Sequence, residues 1–223
     1  MSGAVFLFME ENKITRLAVQ KKNPNRVNVY LDGNFAFGLY KDNAAWLEIG
    51  QVLSDAKIKQ LLDKDQKSEV YLKALDFISY KPRTSEETRR KLLQAGYDEV
   101  LIEGTISDLL ENGILDDKSY AEQWVEERLR LKPRSKRFLI FELRKKGISK
   151  DLIQSAVEDV DDFQSAYDLA ESRLFRYEKL PRMEFRRKLG NYLVEKGYSY
   201  DVISVITQDL WKKINASTME DLD

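Results

Sequence analysis

Three times this chain writes Pro-Arg, a basic amphipathic stretch and a glycine. Residues 81–97 read KPRTSEETRRKLLQAGY, residues 132–148 read KPRSKRFLIFELRKKGI, and residues 180–198 read LPRMEFRRKLGNYLVEKGY. Pro82 to Gly96 and Pro133 to Gly147 are each 14 residues, and Pro181 to Gly197 is 16. The glycines recur with a period of 51 and then 50 residues. After each glycine the same apolar positions return: Leu101, Leu152 and Val202, then Ile102, Ile153 and Ile203, then Leu109, Val160 and Leu210. Self-similarity at a fixed period marks a repeated supersecondary unit.

Each unit reads as three helices. Tyr120, Ala121, Trp124 and Val125 share one face of the first helix in the middle unit, and Asp116 or Asp117 can cap it. Phe163, Ala166, Tyr167 and Ala170, after Asp161-Asp162, repeat that pattern in the third unit, and Val70, Tyr71, Ala74, Leu75 and Ile78 in the first. Pro-Arg separates helix one from helix two, because proline disfavours helix in the residue before it. Ser85, or Thr84 in its place, and Ser135 are caps for helix two. Gly96, Gly147 and Gly197 fit the left-handed position that ends it, and Asp98, Ser149 or Ser199 caps helix three. Three such units stacked in a row are expected to bury one continuous core in an elongated, curved body.

The first part of the chain has a different period. Leu17 and Val19, then Val27, Val29 and Leu31, then Phe35, Phe37 and Leu39 alternate with other residues, as strands do. Asp32-Gly33 predicts a type I′ hairpin turn between the last two runs, and Asn23-Pro24-Asn25 separates the first two. A three-stranded antiparallel sheet needs cover on one face. The helical-looking stretch from Leu39 to Asp65 can supply it, and Asp65-Gln66-Lys67 reads as a polar hinge before the repeats. Residues 4–9, AVFLFM, are too short to span a bilayer. With no basic stretch before them and no small-residue cleavage site after them, a signal peptide is not expected; an extra strand or a loose leader is. The default location is the cytoplasm.

The chain has 37 basic and 38 acidic residues, but they are sorted unevenly. Arg128, Arg130, Lys132, Arg134, Lys136, Arg137, Arg144, Lys145 and Lys146 face one acid, Glu142, within residues 128–146. Residues 151–162 carry only acids: Asp151, Glu158, Asp159, Asp161 and Asp162. Arg83, Arg89, Arg90 and Lys91 form a lesser cluster in the first unit. Arg182, Arg186 and Arg187, with Arg176, Lys179 and Lys188, form another in the third. Solvated helix faces with ordinary ion pairs would explain any one cluster. Clusters at the same place in three units suggest a basic track for phosphates or an acidic protein surface.

Other chemistry is thinly represented. There is no Cys and no His, so thiolate chemistry and the commonest general base and metal ligand are missing. The Asp pairs are explained by helix capping, and no cofactor or metal site is expected. No phosphate-cradling loop or nucleophile motif occurs. Tyr120, Trp124, Phe138 and Phe141 fall at core spacing, while Tyr80, Tyr97 and Tyr198 lie near turns and are candidates for exposure.

Residues 67–210 resemble the RecX family of bacterial recombination regulators. The resemblance rests on Ala74-Leu75, Pro82-Arg83-Thr84-Ser85 with Glu86 and Glu87, and LLENGILDD with Leu115-Asp116-Asp117. Tyr120-Ala121, Glu142-Leu143 and Lys146-Gly147-Ile148 complete it. It implies a mainly α protein of tandem three-helix units that binds the RecA filament on single-stranded DNA, with no catalytic residues to carry over. Some members also contact DNA, single- or double-stranded. The expected layout is an N-terminal sheet with helices over 1–66, repeats over 67–115, 116–160 and 161–214, and an acidic flexible tail over 215–223. A monomer is expected, with the basic residues of the three clusters as partner contacts. An autonomous nucleic-acid binder is the main alternative, and an adaptor that binds another protein by its concave face is a further one.

Overall fold

The computed structural model describes residues 12–220, with side chains through residue 215. The apolar stretch at 4–9 lies outside the described residues. Backbone contacts divide the described residues into two compact units, those up to residue 81 with 91–108 and residues 82–90 with those from 109 onward.

The first unit begins with an antiparallel sheet in the order β1 (Ile14–Val19), β2 (Arg26–Leu31), β3 (Asn34–Tyr40). Asp32 and Gly33 both take positive φ, +48° and +88°, as a type I′ turn requires. One face of the sheet carries Ile14, Val27, Val29, Leu31 and Leu39 into a core completed by Ala44, Leu47, Leu53 and Leu61. The expected cover is present but only partly helical. After the short α1 (Lys41–Ala44), residues 45–54 run irregularly, and Lys13 pairs with Val52.

Helix α2 (Asp55–Ser79), capped by Ser54, passes unbroken through Asp65-Gln66-Lys67, so this triplet is not a hinge. Asp65 is only 4% exposed. Its carboxylate pairs with Arg26 at 2.8 Å and accepts from the Tyr40 N–H and the Asn43 amide. A polar residue there clamps the helix onto the sheet, and an acid so buried persists because each carboxylate oxygen has a donor. The far end of α2 is helix one of the first repeat, with Val70 and Ala74 buried.

The remaining helices follow the repeat: α3 (Ser85–Gln94), α4 (Glu99–Glu111), α5 (Asp117–Leu131), α6 (Lys136–Lys145), α7 (Lys150–Ala156), α8 (Asp162–Glu171), α9 (Arg182–Glu195) and α10 (Tyr200–Glu220). A short 3-10 turn at Leu174–Arg176 fills the longer link in the third repeat. Helix α10 continues to Glu220, through most of the stretch read from sequence as a flexible tail.

The second unit does not share a continuous core. Leu139, Leu143, Ile153 and Val157 pack with Ala121 and Val125 inside repeat 2. Phe185, Leu189, Leu193, Ile206 and Leu210 form a separate core inside repeat 3. Between these cores lies a polar joint. It positions the basic residues.

Candidate functional site

Two joints in the second unit use one backbone plan. At the first, segment 82–90 meets repeat 2. The Thr84 hydroxyl donates to the Lys146 carbonyl at 2.7 Å and accepts from the Glu87 N–H at 3.1 Å. The Ser85 N–H donates to Asp117 at 2.9 Å, and the Ser85 hydroxyl donates to the same carboxylate. At the second joint, repeat 2 meets repeat 3. The Ser135 N–H donates to the Lys196 carbonyl at 3.1 Å, and the Lys136 N–H to Asp162 at 2.6 Å.

The Asp pairs therefore divide their labour. Asp116 and Asp161 cap their own helices, accepting from Ser119 and from Phe163 and Gln164. Asp117 and Asp162 reach back to the first N–H of the preceding repeat's helix two. Helix starts leave several N–H groups without intrahelical partners, so this bond satisfies a donor that would otherwise need water.

Tight packing adds a backbone constraint. Gly147 and Gly197 have φ of +80° and +93°, in the left-handed region. A Cβ on Gly147 would lie 2.3 Å from the Glu86 Cβ, and one on Gly197 would lie 2.6 Å from the Ser135 Oγ and 3.2 Å from the Phe138 Cβ. Gly96 has the same conformation, with nothing within 4 Å of such an atom.

The charges at the two joints differ. Lys146 pairs with Glu87 at 2.7 Å and stands over the rings of Trp124 and Tyr120. Burial alone would pull the Lys146 ammonium down, but hydrogen bonding and charge from Glu87 and Tyr120 hold it above its ordinary value. Burial pushes the Glu87 carboxyl up, yet Lys146, the Thr84 N–H and Arg83 bring it below its ordinary value. Lys196 occupies the corresponding place at the second joint. Burial and the nearby Arg134 and Arg173 charges pull it below its ordinary value, against a smaller pull from Glu195.

The sixteen basic residues singled out from sequence separate into groups. Arg128 is bound to Glu142 at 2.8 Å and lies over Trp124, whose N–H donates to the same carboxylate at 3.0 Å. Arg89 and Arg90 both clasp Glu86 at 2.8 Å. Lys91 lies over Phe77. Lys136 donates to the Glu158 carbonyl at 3.0 Å, and Arg134 donates to the Glu195 carbonyl at 2.9 Å while covering Phe138. Arg83 is half-buried, near enough to Glu87 to lower its carboxyl. These side chains, with Lys146, are partly committed to holding the fold.

Arg130, Lys132, Arg137, Arg144, Arg182, Arg186 and Arg187 lie at the surface, and among the described residues none pairs with a carboxylate. Lys145 stands at the surface above the Phe141 ring. Phe141 itself is 51% exposed, contrary to its core spacing, and Tyr198 is buried, with its hydroxyl on Ser165 at 2.8 Å. Phe138 is half-buried; Tyr120 and Trp124 lie stacked at the edge of the repeat 2 core, not within it. Tyr80 is exposed, whereas Tyr97 is half-buried and donates to Glu69 at 3.2 Å. Arg186 and Arg187 line a groove of about 690 Å³ with Met183, Val194 and Tyr200. Arg173, just ahead of the Arg176–Lys188 cluster, and Lys196, apart from any basic run, were not among the candidates read from sequence.

Among the described residues, no three carboxylates gather where they could hold a metal ion, and no helix is long and apolar enough to cross a membrane. The fold is one of tandem three-helix units that carry exposed cations with no carboxylate paired to them among the described residues. Four profiles match in order along the chain: the regulatory protein RecX N-terminal domain at 12–53, and the RecX first, second and third three-helix domains at 71–109, 116–157 and 159–206. The regulatory protein RecX of Clostridium botulinum strain Eklund 17B is 33% identical over 207 residues, covering 88% of this chain and 95% of that protein. That of Clostridium tetani is 33% identical over 211 residues, covering 90% and 95%. A crystal structure of regulatory protein RecX superposes with a TM-score of 0.69 at 27% identity, covering 88% of this chain and 98% of that one. RecX from Lactobacillus salivarius superposes at 0.59 with 30% identity, covering 66% and 97%. This chain belongs to the RecX family of regulatory proteins.

Proposed function

We propose that this chain is a non-enzymatic regulator that binds RecA filaments on DNA and restrains recombinase, ATPase and coprotease activity. The observation that carries this reading is the set of surface cations on and beside α6: Arg130, Lys132, Arg137, Arg144 and Lys145. No described carboxylate neutralises them, in a family whose members are named regulatory proteins. A row of unneutralised cations favours a polyanionic partner, either acidic protein surface or phosphate backbone. Arg182, Arg186 and Arg187 offer a second contact in repeat 3. The protein acts as a monomer in the cytoplasm, in DNA repair and recombination and in the SOS response, without a cofactor.

Titration of the protein into RecA hydrolysing ATP on single-stranded DNA tests this function. Inhibition at amounts too low to coat the DNA is expected. Inhibition only once the DNA is saturated would replace it with a second reading, autonomous binding that competes for single-stranded DNA. The same surface cations support that reading, and salt separates the two. Phosphate contacts release counterions, so affinity through about six of them falls on the order of 10³-fold between 50 and 200 mM salt. Filament binding through protein contacts falls less.

A further inference from the structure

The second joint holds several cations and lacks the acid that completes the first. Lys132 and Arg134 come from the Pro-Arg loop before α6, Arg173 from the end of α8 and Lys196 from the end of α9. With Pro133 and Tyr192 they line a cleft of about 130 Å³. Arg173 lies 4.9 Å and Lys196 5.0 Å from the centre of the Tyr192 ring, so two cations share one aromatic. Arg134 spends one N–H on the Glu195 carbonyl and leaves the rest of its fork for other partners. Among the described residues, none of the four makes an ion pair.

Arg134, Arg173 and Lys196 are half-buried. Like charges gathered out of water oppose one another and oppose folding, and rings and carbonyls compensate only in part. Burial first, and then the Arg134 and Arg173 charges, lower the Lys196 ammonium. At the first joint Glu87 relieves it from within the chain at 2.7 Å; at the second only a weaker pull from Glu195 does so. The cleft is far smaller than the roughly 300 Å³ at which small-molecule pockets begin. It accepts one compact anionic group, not a whole nucleotide. Arginine forks and an ammonium converging from three segments suit a tetrahedral oxyanion with several acceptor oxygens.

We propose that the cleft of Lys132, Arg134, Arg173 and Lys196 binds a single phosphoryl oxyanion, which supplies the missing counter-charge between repeats 2 and 3. The phosphate comes either from a nucleic-acid backbone or from a free phosphate ion. The site is independent of the RecA reading, because it is tested on the protein alone.

The experiment titrates the isolated full chain with inorganic phosphate and with a short oligothymidylate, following backbone amide shifts and oligonucleotide affinity. Shifts centred on Arg134, Arg173, Tyr192 and Lys196 are expected with at least one probe. A response to the oligonucleotide at concentrations where inorganic phosphate gives none assigns the backbone as source; the reverse assigns the free ion. The double substitution Arg173→Gln with Lys196→Gln is expected to weaken the responding probe about tenfold or more. If the probe is DNA, the salt slope also falls by about 0.7, the share of one phosphate that the cleft no longer neutralises. The charge-matched control, Lys21→Gln with Lys22→Gln at the exposed turn between β1 and β2, changes phosphate binding less than about twofold and leaves the cleft amide shifts in place. Shifts spread evenly over α6, or equal losses in both double variants, would overturn the site in favour of diffuse attraction. The wild-type shifts decide the matter even if the cleft variant folds poorly. No shifts with either probe also overturn it.

Discussion

At the first joint Lys146 faces Glu87; at the second Lys196 stands in the same place with Arg134 and Arg173 beside it and no carboxylate paired to it. The backbone plan is shared. In both, a helix-two N-terminus is closed by an aspartate and a carbonyl of the next repeat. The difference shows that geometry and charge are specified separately. Caps, glycines and aspartates set how the repeats meet, and a few side chains around that frame decide whether the joint is electrically complete. One joint is closed internally; the other is left for a ligand to close.

The strongest way to break this comparison is through its shared backbone. Gly147→Ala and Gly197→Ala each force an L residue into the left-handed region and a Cβ into Glu86 or Ser135. Each is expected to cost about 2–4 kcal/mol in urea unfolding. Gly96→Ala, with open space around it, costs only about 1 kcal/mol. Equal losses at all three would show that the joints yield easily. Next come Asp117→Ala and Asp162→Ala, each expected to lose about 1–2 kcal/mol by leaving a helix-start N–H without its acceptor. The Asp117 variant should lose more, because that carboxylate also holds the Ser85 hydroxyl.

Charge sharpens the comparison through opposite signs. The raised Lys146 stabilises fully below its ordinary value of 10.5, and its contribution is lost as pH rises through its higher folded pKa. The lowered Glu87 contributes above its ordinary value of 4.5 and loses its effect as pH falls through its lower folded pKa. Lys196 opposes folding while charged. Its opposition fades as pH rises from its lowered folded pKa towards 10.5, with Arg134, Arg173, Glu195 and Tyr192 around it. At neutral pH without phosphate, Lys146→Met is therefore expected to cost about 1 kcal/mol, through a stranded Glu87. Lys196→Met leaves stability unchanged or slightly higher. Unfolding midpoints across pH check both; a loss from Lys196→Met equal to that from Lys146→Met would erase the distinction. The smallest stability effect belongs to charge reversal at Arg137, Arg144 and Lys145, within about 0.5 kcal/mol. Under the proposed function, the same variant should lose most of the inhibition expected in the RecA titration. Reversal at Arg134 or Lys136 is a poorer probe, since both side chains hold the second joint.

The repeat was legible because its signals are local. Glycines take positive φ where the period put them, and Thr84, Ser135 and Ser149 cap as their positions suggest. The double role of the Asp pairs was not legible, because Asp117 and Asp162 answer donors 32 and 26 residues away. The same distance hid the cleft: Arg134, Arg173 and Lys196 belong to three segments that meet only after folding. Asp65 misled for a related reason. A polar triplet reads as solvent-facing until the donors from β2, β3 and α1 that bury it are known. Phe141 shows that helical spacing alone does not fix burial, and Tyr198, read as a turn residue open to solvent, is buried in the core of its own repeat.

The borrowed aspartate has a consequence for how the protein is made. Helix α6 starts at Lys136, yet its first N–H waits for Asp162, and the Ser135 N–H waits for the Lys196 carbonyl. As the chain leaves the ribosome, repeat 2 can gather its own core but cannot finish the start of its second helix until repeat 3 has followed. The helix-two starts of the first two repeats are thus completed by the repeat synthesised after each. A nascent chain stopped near residue 160 should therefore expose the start of α6 to a protease that the finished protein resists.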